Sequence, residues 1–220
     1  LAVSQPRVIM KEVDGELHEP LEQLFIDIPE EYLGVVMERL GARKAEMVNM
    51  SNAGTGHLRL EFIIPARGLI GFRSDFLTET KGYGIMHHLF YGYGPHRGEL
   101  PGRLRGSLVA TDSGDATTYA IYNLQDRGAF FITPGTRIYT GMVVGESTRD
   151  QDIDVNVCKK RHVTNVRAAN AEETMRLTPP RILTLEEALE QISDDELVEV
   201  TPKSIRLRKA VLDPHKRGSL

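Results

Sequence analysis

The sequence predicts an α+β protein in two parts, and three observations carry that reading. The first half alternates β-patterned runs with helix-spaced apolar positions. The second half is dominated by short β-like runs separated by Asp, Gly and Pro turns. Near the end stands one helix with a legible N-terminal cap.

In the first half, residues 5–13 read as a strand, and Asp14-Gly15 is a hairpin turn. The strand expected over residues 21–28 ends at Pro29-Glu30-Glu31, where proline and two acids suit a helix's first turn. Leu33, Val36, Met37 and Leu40 then recur at helical spacing, and Gly41 is placed to end the helix. A second strand over residues 44–51 turns at Asn52-Ala-Gly-Thr-Gly56. The run from Leu58 to Ile64 alternates as a strand with one buried face. Beyond Pro65 the pattern is helical, with Leu69, Phe72, Phe76 and Leu77 on one side, and residues 85–90 form a last strand. The order βαββαβ is the ferredoxin-like arrangement, assigned to residues 1–93.

Residues 92–102 carry a linker's density of Gly and Pro, so a second domain is expected over residues 94–220. Strands are expected over residues 103–110, 117–123, 129–132, 142–147 and 153–157, a spacing that favours a small barrel or sandwich. After Pro179-Pro180, Thr184 and Glu187 form a capping box ahead of the stripe Leu185, Ala188, Leu189, Ile192. A basic strand, residues 204–208, closes the chain.

Composition excludes several classes. With 40% hydrophobic and 26% charged residues the chain is ordinary for a globular protein. A net charge of −4 rules out a generic polyanion binder, and a lone Cys158 cannot form an internal disulfide. No apolar run or signal peptide points to a membrane or to export, so a cytoplasmic address is expected. The start at Leu1 rather than Met suggests a piece of a longer protein. The Gly54-Thr-Gly56 fragment reads as a hairpin turn. His87 and His88 point to opposite faces of a strand, Asp75 and Glu79 sit on a surface helix, and no catalytic set or metal constellation emerges.

One segment breaks the orderly pattern: Cys158-Lys-Lys-Arg-His-Val-Thr-Asn-Val-Arg167. Between Asp154 and Glu172 the chain holds four fixed positive charges, one histidine and no carboxylate. Clustered Lys and Arg displace condensed counterions from nucleic acid, which is the physical use of such a segment. The plain alternative is a solvated loop whose charges keep it soluble.

Several long motifs carry a resemblance. Glu19-Pro20, Pro29-Glu-Glu-Tyr-Leu-Gly-Val-Val and Leu40-Gly-Ala-Arg-Lys44 resemble the final ferredoxin-like domain of elongation factor G and related translational GTPases. Ile64-Pro-Ala-Arg-Gly-Leu-Ile-Gly-Phe-Arg-Ser-Asp-Phe76, Leu124-Gln-Asp-Arg-Gly128, the run Leu183 to Glu190 and the run Asp195 to Lys209 narrow this to the BipA/TypA branch. The resemblance implies a ribosome-binding part of a GTPase linked to large-subunit assembly and to growth in cold or under stress. Its implied partners are the large subunit and the 70S ribosome, 23S rRNA, the acceptor end of A-site tRNA, and the GTPase domains of the full-length protein. The family's extended loop would correspond to residues 149–167. No Gly-x-x-x-x-Gly-Lys-Ser/Thr phosphate loop occurs. GTP and Mg would therefore belong to the missing G domain, with no cofactor and no catalysis expected in this chain.

The expected RNA contacts are Lys159, Lys160, Arg161 and Arg167 for charge, with His162, Thr164 and Asn165 as hydrogen-bonding groups. Arg67 and Arg73, flanking the second helix, and Arg206 and Arg208, on the last strand, are weaker candidates. The competing expectation is a protein-interaction module that docks on ribosomal proteins or on the missing GTPase domains, without RNA contact.

Overall fold

The computed structural model describes residues 1–103, 105–162 and 175–217. Two compact units divide the chain: Pro6–Gly102, and Arg103–Leu220 together with Leu1–Gln5. The opening residues belong to the second unit because β1 (Ala2–Ser4) pairs with a strand near the far end of the chain.

The first unit begins with a hairpin, β2 (Lys11–Val13) and β3 (Glu16–Pro29), turned at Asp14 and Gly15, both with positive φ. A 3-10 turn at Glu30–Tyr32 leads into α1 (Leu33–Ala42). Gly41 does not end this helix; the chain reverses at Lys44, which takes φ 61° and is held by amide bonds to Leu40 and Gly41 carbonyls around it. β4 (Glu46–Gly54) and β5 (His57–Pro65) form the second hairpin, and α2 (Phe72–Glu79) follows the left-handed Gly71. β6 (Ile85–Pro95) extends through the Gly-rich stretch expected to be linker, because its pairing with β3 continues to His18. The sheet order β6-β3-β5-β4, antiparallel throughout, is the ferredoxin-like arrangement. α1 and α2 cover one face, burying Leu24, Ile28, Leu60, Phe62, Phe72 and Phe76. Each large side chain so buried contributes roughly 1.5–3 kcal/mol. Leu77, expected on that side, is 41% exposed.

The second unit is β-rich. β7 (Ser107–Ala110), β9 (Gly128–Phe130), β11 (Met142–Ser147), β12 (Ile153–Val155), β13 (Glu196–Val200) and β14 (Ile205–Lys209) join β1 in a seven-stranded sheet among the described residues. β8 (Gly114–Asp115) and β10 (Arg137–Ile138) make a separate ladder. β7 and β11 read as near-continuous apolar runs because the sheet is covered on both faces. On one side Leu108, Ile121, Phe130 and Val144 cluster under α3 (Thr118–Leu124); on the other Val143, Val198 and Leu207 meet α4 (Leu185–Gln191). The capping box of α4 forms as the sequence indicates. The strand expected over residues 117–123 is instead α3. Thr117 caps it by accepting the Ala120 amide, and Ala120 and Ile121 turn into the core. Gly128 lies where a Cβ would overlap the Glu146 carbonyl, which lets β9 close on β11.

Candidate nucleic-acid interface

The basic segment departs from a rigid base. Val155 and Val157 are buried in the α3-side core, and β12 runs parallel to β7. The Asn156 side chain accepts the Cys158 amide at 2.9 Å, and the Thr117 amide donates to the Val157 carbonyl at 2.9 Å. The Thr117 hydroxyl then donates to the Lys159 carbonyl at 2.6 Å, so the residue that caps α3 also holds the first lysine. Burial, with Asp112 and Asp115 nearby, pushes the Cys158 thiol up, which keeps it protonated and unreactive at neutral pH. Lys159, Lys160 and His162 are exposed and Arg161 is half-buried. Thr164, Asn165 and Arg167 lie outside the described residues.

At the far side of the segment the chain is fastened to the other end of the same helix. Gln125, just past α3, accepts the Thr178 amide at 3.0 Å and donates to the Arg176 carbonyl at 3.4 Å. A seven-residue helix thus holds both flanks of the segment. Arg127 and Arg176, both exposed, add charge that sequence reasoning missed. Arg176 escaped notice because Glu172 and Glu173 close the acid-free window before it.

The electrostatics separate these cations from most others in the molecule. Among the described residues, no carboxylate pairs with Lys159, Lys160 or Arg161, whereas Arg39, Arg43, Arg67, Arg97, Arg103 and Arg208 each have one. Unpaired cations at an exposed, anchored site keep their full capacity for phosphate.

The weaker candidates are placed differently. Arg67 grips the fully buried Glu19 and donates to the Gly98 carbonyl at 2.5 Å. Burial would raise the Glu19 carboxyl, but hydrogen bonds from Arg67 and the Arg97 amide, with the charges of Arg67 and His96, hold it below the ordinary range. Arg73 is exposed in the first turn of α2. Arg208 pairs with Glu199 at 2.8 Å with its side chain 19% exposed, and Arg206 stands half-buried opposite Glu199. Burial and the hydrogen bond to Glu199 push the Tyr139 phenol well up, so this corner is a neutral-pH fixture. Among the described residues, no group of three or more His, Cys, Asp or Glu side chains could hold a metal ion, and no helix is long and apolar enough to cross a membrane.

Residues 105–214, which carry β7, the segment and β14, match the family of the TypA/BipA C-terminal domain. The chain belongs to the TypA/BipA family. Residues 16–104 match the elongation factor G C-terminus, in keeping with the ferredoxin-like sheet. Curated TypA/BipA relatives include the large ribosomal subunit assembly factor BipA of Bacillus subtilis (strain 168), 50% identical over 218 residues. The Synechocystis protein of the same name is 53% identical over 207 residues, and that of Escherichia coli (strain K12) 45% over 218. These matches cover 99%, 94% and 99% of this chain but only 36%, 35% and 36% of the relatives. The chain therefore spans little more than a third of the length of these relatives.

Proposed function

We propose that this chain is the RNA-docking part of a ribosome-associated GTPase, and that it contacts large-subunit RNA through the segment beginning at Lys159. The observation that carries this reading is the set of carboxylate-free cations on a segment clamped at both flanks by α3. The curated relatives' name, large ribosomal subunit assembly factor, supplies the class of partner. Within that reading Lys159, Lys160, Arg161 and Arg167 neutralise phosphates, and His162, Thr164 and Asn165 hydrogen-bond to phosphate, sugar or base edges of 23S rRNA or the acceptor end of an A-site tRNA. GTP and Mg belong to the remainder of the full-length protein, which sets when this part docks on the large subunit or the 70S ribosome.

The test is co-sedimentation of the chain with purified large subunits, beside a Lys159/Lys160/Arg161→Ala variant. Retention of the parent and loss of the variant from the ribosomal pellet is the expected result. Equal retention of both would favour docking on ribosomal proteins and overturn RNA contact through this segment.

A further inference from the structure

The ferredoxin-like sheet has helices on one face only, and its other face carries an organised trough. Cross-strand register places Phe25 beside His87 and Glu61, and Asp27 beside Arg59 and Ile85. β4 adds Asn49 opposite Glu61 and Ser51 opposite Arg59. Together these groups line an open trough of about 430 Å³. That volume falls within the roughly 300–1,000 Å³ of small-molecule sites.

The two ends of the trough differ in chemistry. At the β6 end the rings of Phe25 and His87 lie stacked, centroids 4.7 Å apart and planes 12° from parallel. His87 is exposed, so a third flat ring can extend the stack without moving either partner. At the β4 end Asn49 and Ser51 are exposed and offer an amide and a hydroxyl. Glu61, which already accepts from the Gln23 amide, has further acceptor capacity for exocyclic amines. Arg59 rims the trough with its side chain 71% exposed. The Asp27 carboxylate sits between Arg59, at 3.5 Å, and His57, at 3.3 Å. Asp27 is thus paired with Arg59 while Glu61, among the described residues, meets only the neutral Gln23 amide, and the trough lacks the strong positive field of a polyphosphate site. A flat aromatic wall facing a hydrogen-bonding wall, with one exposed guanidinium at the rim whose contact with Asp27 is a long 3.5 Å, matches a nucleobase with a single attached phosphate. Four-stranded sheets of this topology stack unpaired bases on their open faces in other proteins.

We propose that this trough binds an unpaired base of single-stranded RNA. The base stacks on the Phe25–His87 pair, its edge is read by Asn49 and Glu61, and Arg59 takes the adjoining phosphate. This site is separate from the basic segment and does not depend on it.

The test uses the full chain carrying Lys159/Lys160/Arg161/Arg167→Ala, which removes the segment's four fixed positive charges. A short single-stranded RNA oligonucleotide is titrated while backbone amide NMR shifts are followed, with duplex RNA as competitor. Shifts should gather at Phe25, Asn49 and His87, and duplex RNA should fail to displace the oligonucleotide. Added His87→Ala, Asn49→Ala or Arg59→Ala, all at exposed positions, should each weaken binding, roughly five-fold or more where stacking is lost. Unchanged thermal melting of these variants excludes a folding effect. Shifts that bypass the trough, or variants that bind as the parent does, would overturn the proposal, whatever the fate of the basic segment.

Discussion

Lys209 shares the buried side of β14 with Leu207, and its ammonium meets three carboxylates: Asp152 at 2.5 Å, Asp195 at 2.9 Å and Glu196 at 3.1 Å. Burial works against that charge, but Glu196, Asp152 and Asp195 outweigh it and hold the ammonium above the ordinary lysine range. Burial would likewise raise Asp152, yet hydrogen bonds from Lys209 and the Ser107 amide keep it low. In the sequence Lys209 reads as one more cation of a basic tail, because the partners that bury it lie on β13, the turn before it and the turn before β12. Lys209→Ala should lower stability by about 1–3 kcal/mol, since it takes one of two cations from the fully buried Glu196 and leaves Arg103 at 3.1 Å as the other, and denaturant titration would measure this. The pH dependence has two sides. With its folded pKa raised, Lys209 contributes fully below about pH 10 and less as pH climbs through the folded value. With its folded pKa lowered, Asp152 contributes above about pH 4 and less as pH falls through its folded value. The melting temperature should therefore fall on the acid side of about pH 4, and Asp152→Asn should flatten that fall.

At the scale of elements, α3 is the lesson in what local pattern leaves undecided. Thr117-Thr-Tyr-Ala-Ile-Tyr is rich in β-branched and aromatic residues, and by propensity it reads as a strand. Tertiary context reverses that: the Thr117 cap and the burial of Ala120 and Ile121 against the sheet favour a helix. The α4 helix was legible because its cap and stripe are both local. Thr117 does two jobs, so Thr117→Ala should cost about 1 kcal/mol of stability and also weaken RNA binding by freeing Lys159. Thr184→Ala, which breaks the capping box of α4, should cost a similar amount and leave RNA affinity unchanged. Parallel denaturation and RNA-binding titrations separate the two effects.

At the scale of the whole molecule, the ferredoxin-like half was legible because most of its strands, turns and helices announce themselves within a dozen residues, although the strand expected over residues 5–13 forms only at Lys11–Val13 and β6 runs on to Pro95. The second half was less so. Its sheet joins residues 2–4 to residues 197–199 and crosses between β7, β11 and β14, and such pairings leave no local mark. The basic segment was visible as composition, yet its attachment to both ends of α3 was not, because those bonds span 42 and 53 residues. Deleting Leu1–Gln5 removes β1 from the edge of β13, so it should lower the unfolding midpoint of the β-rich unit and spare the ferredoxin-like one. Hydrogen exchange followed unit by unit would show this. The decisive measurement is the salt dependence of RNA affinity for the parent chain and for Lys159/Lys160/Arg161→Ala. If the segment's cations meet phosphate, the plot of log affinity against log salt should have a slope of about −3 to −4 for the parent, with about four phosphates neutralised. It should be much shallower for the variant. Equal slopes for the two proteins would contradict the assignment of RNA contact to this segment.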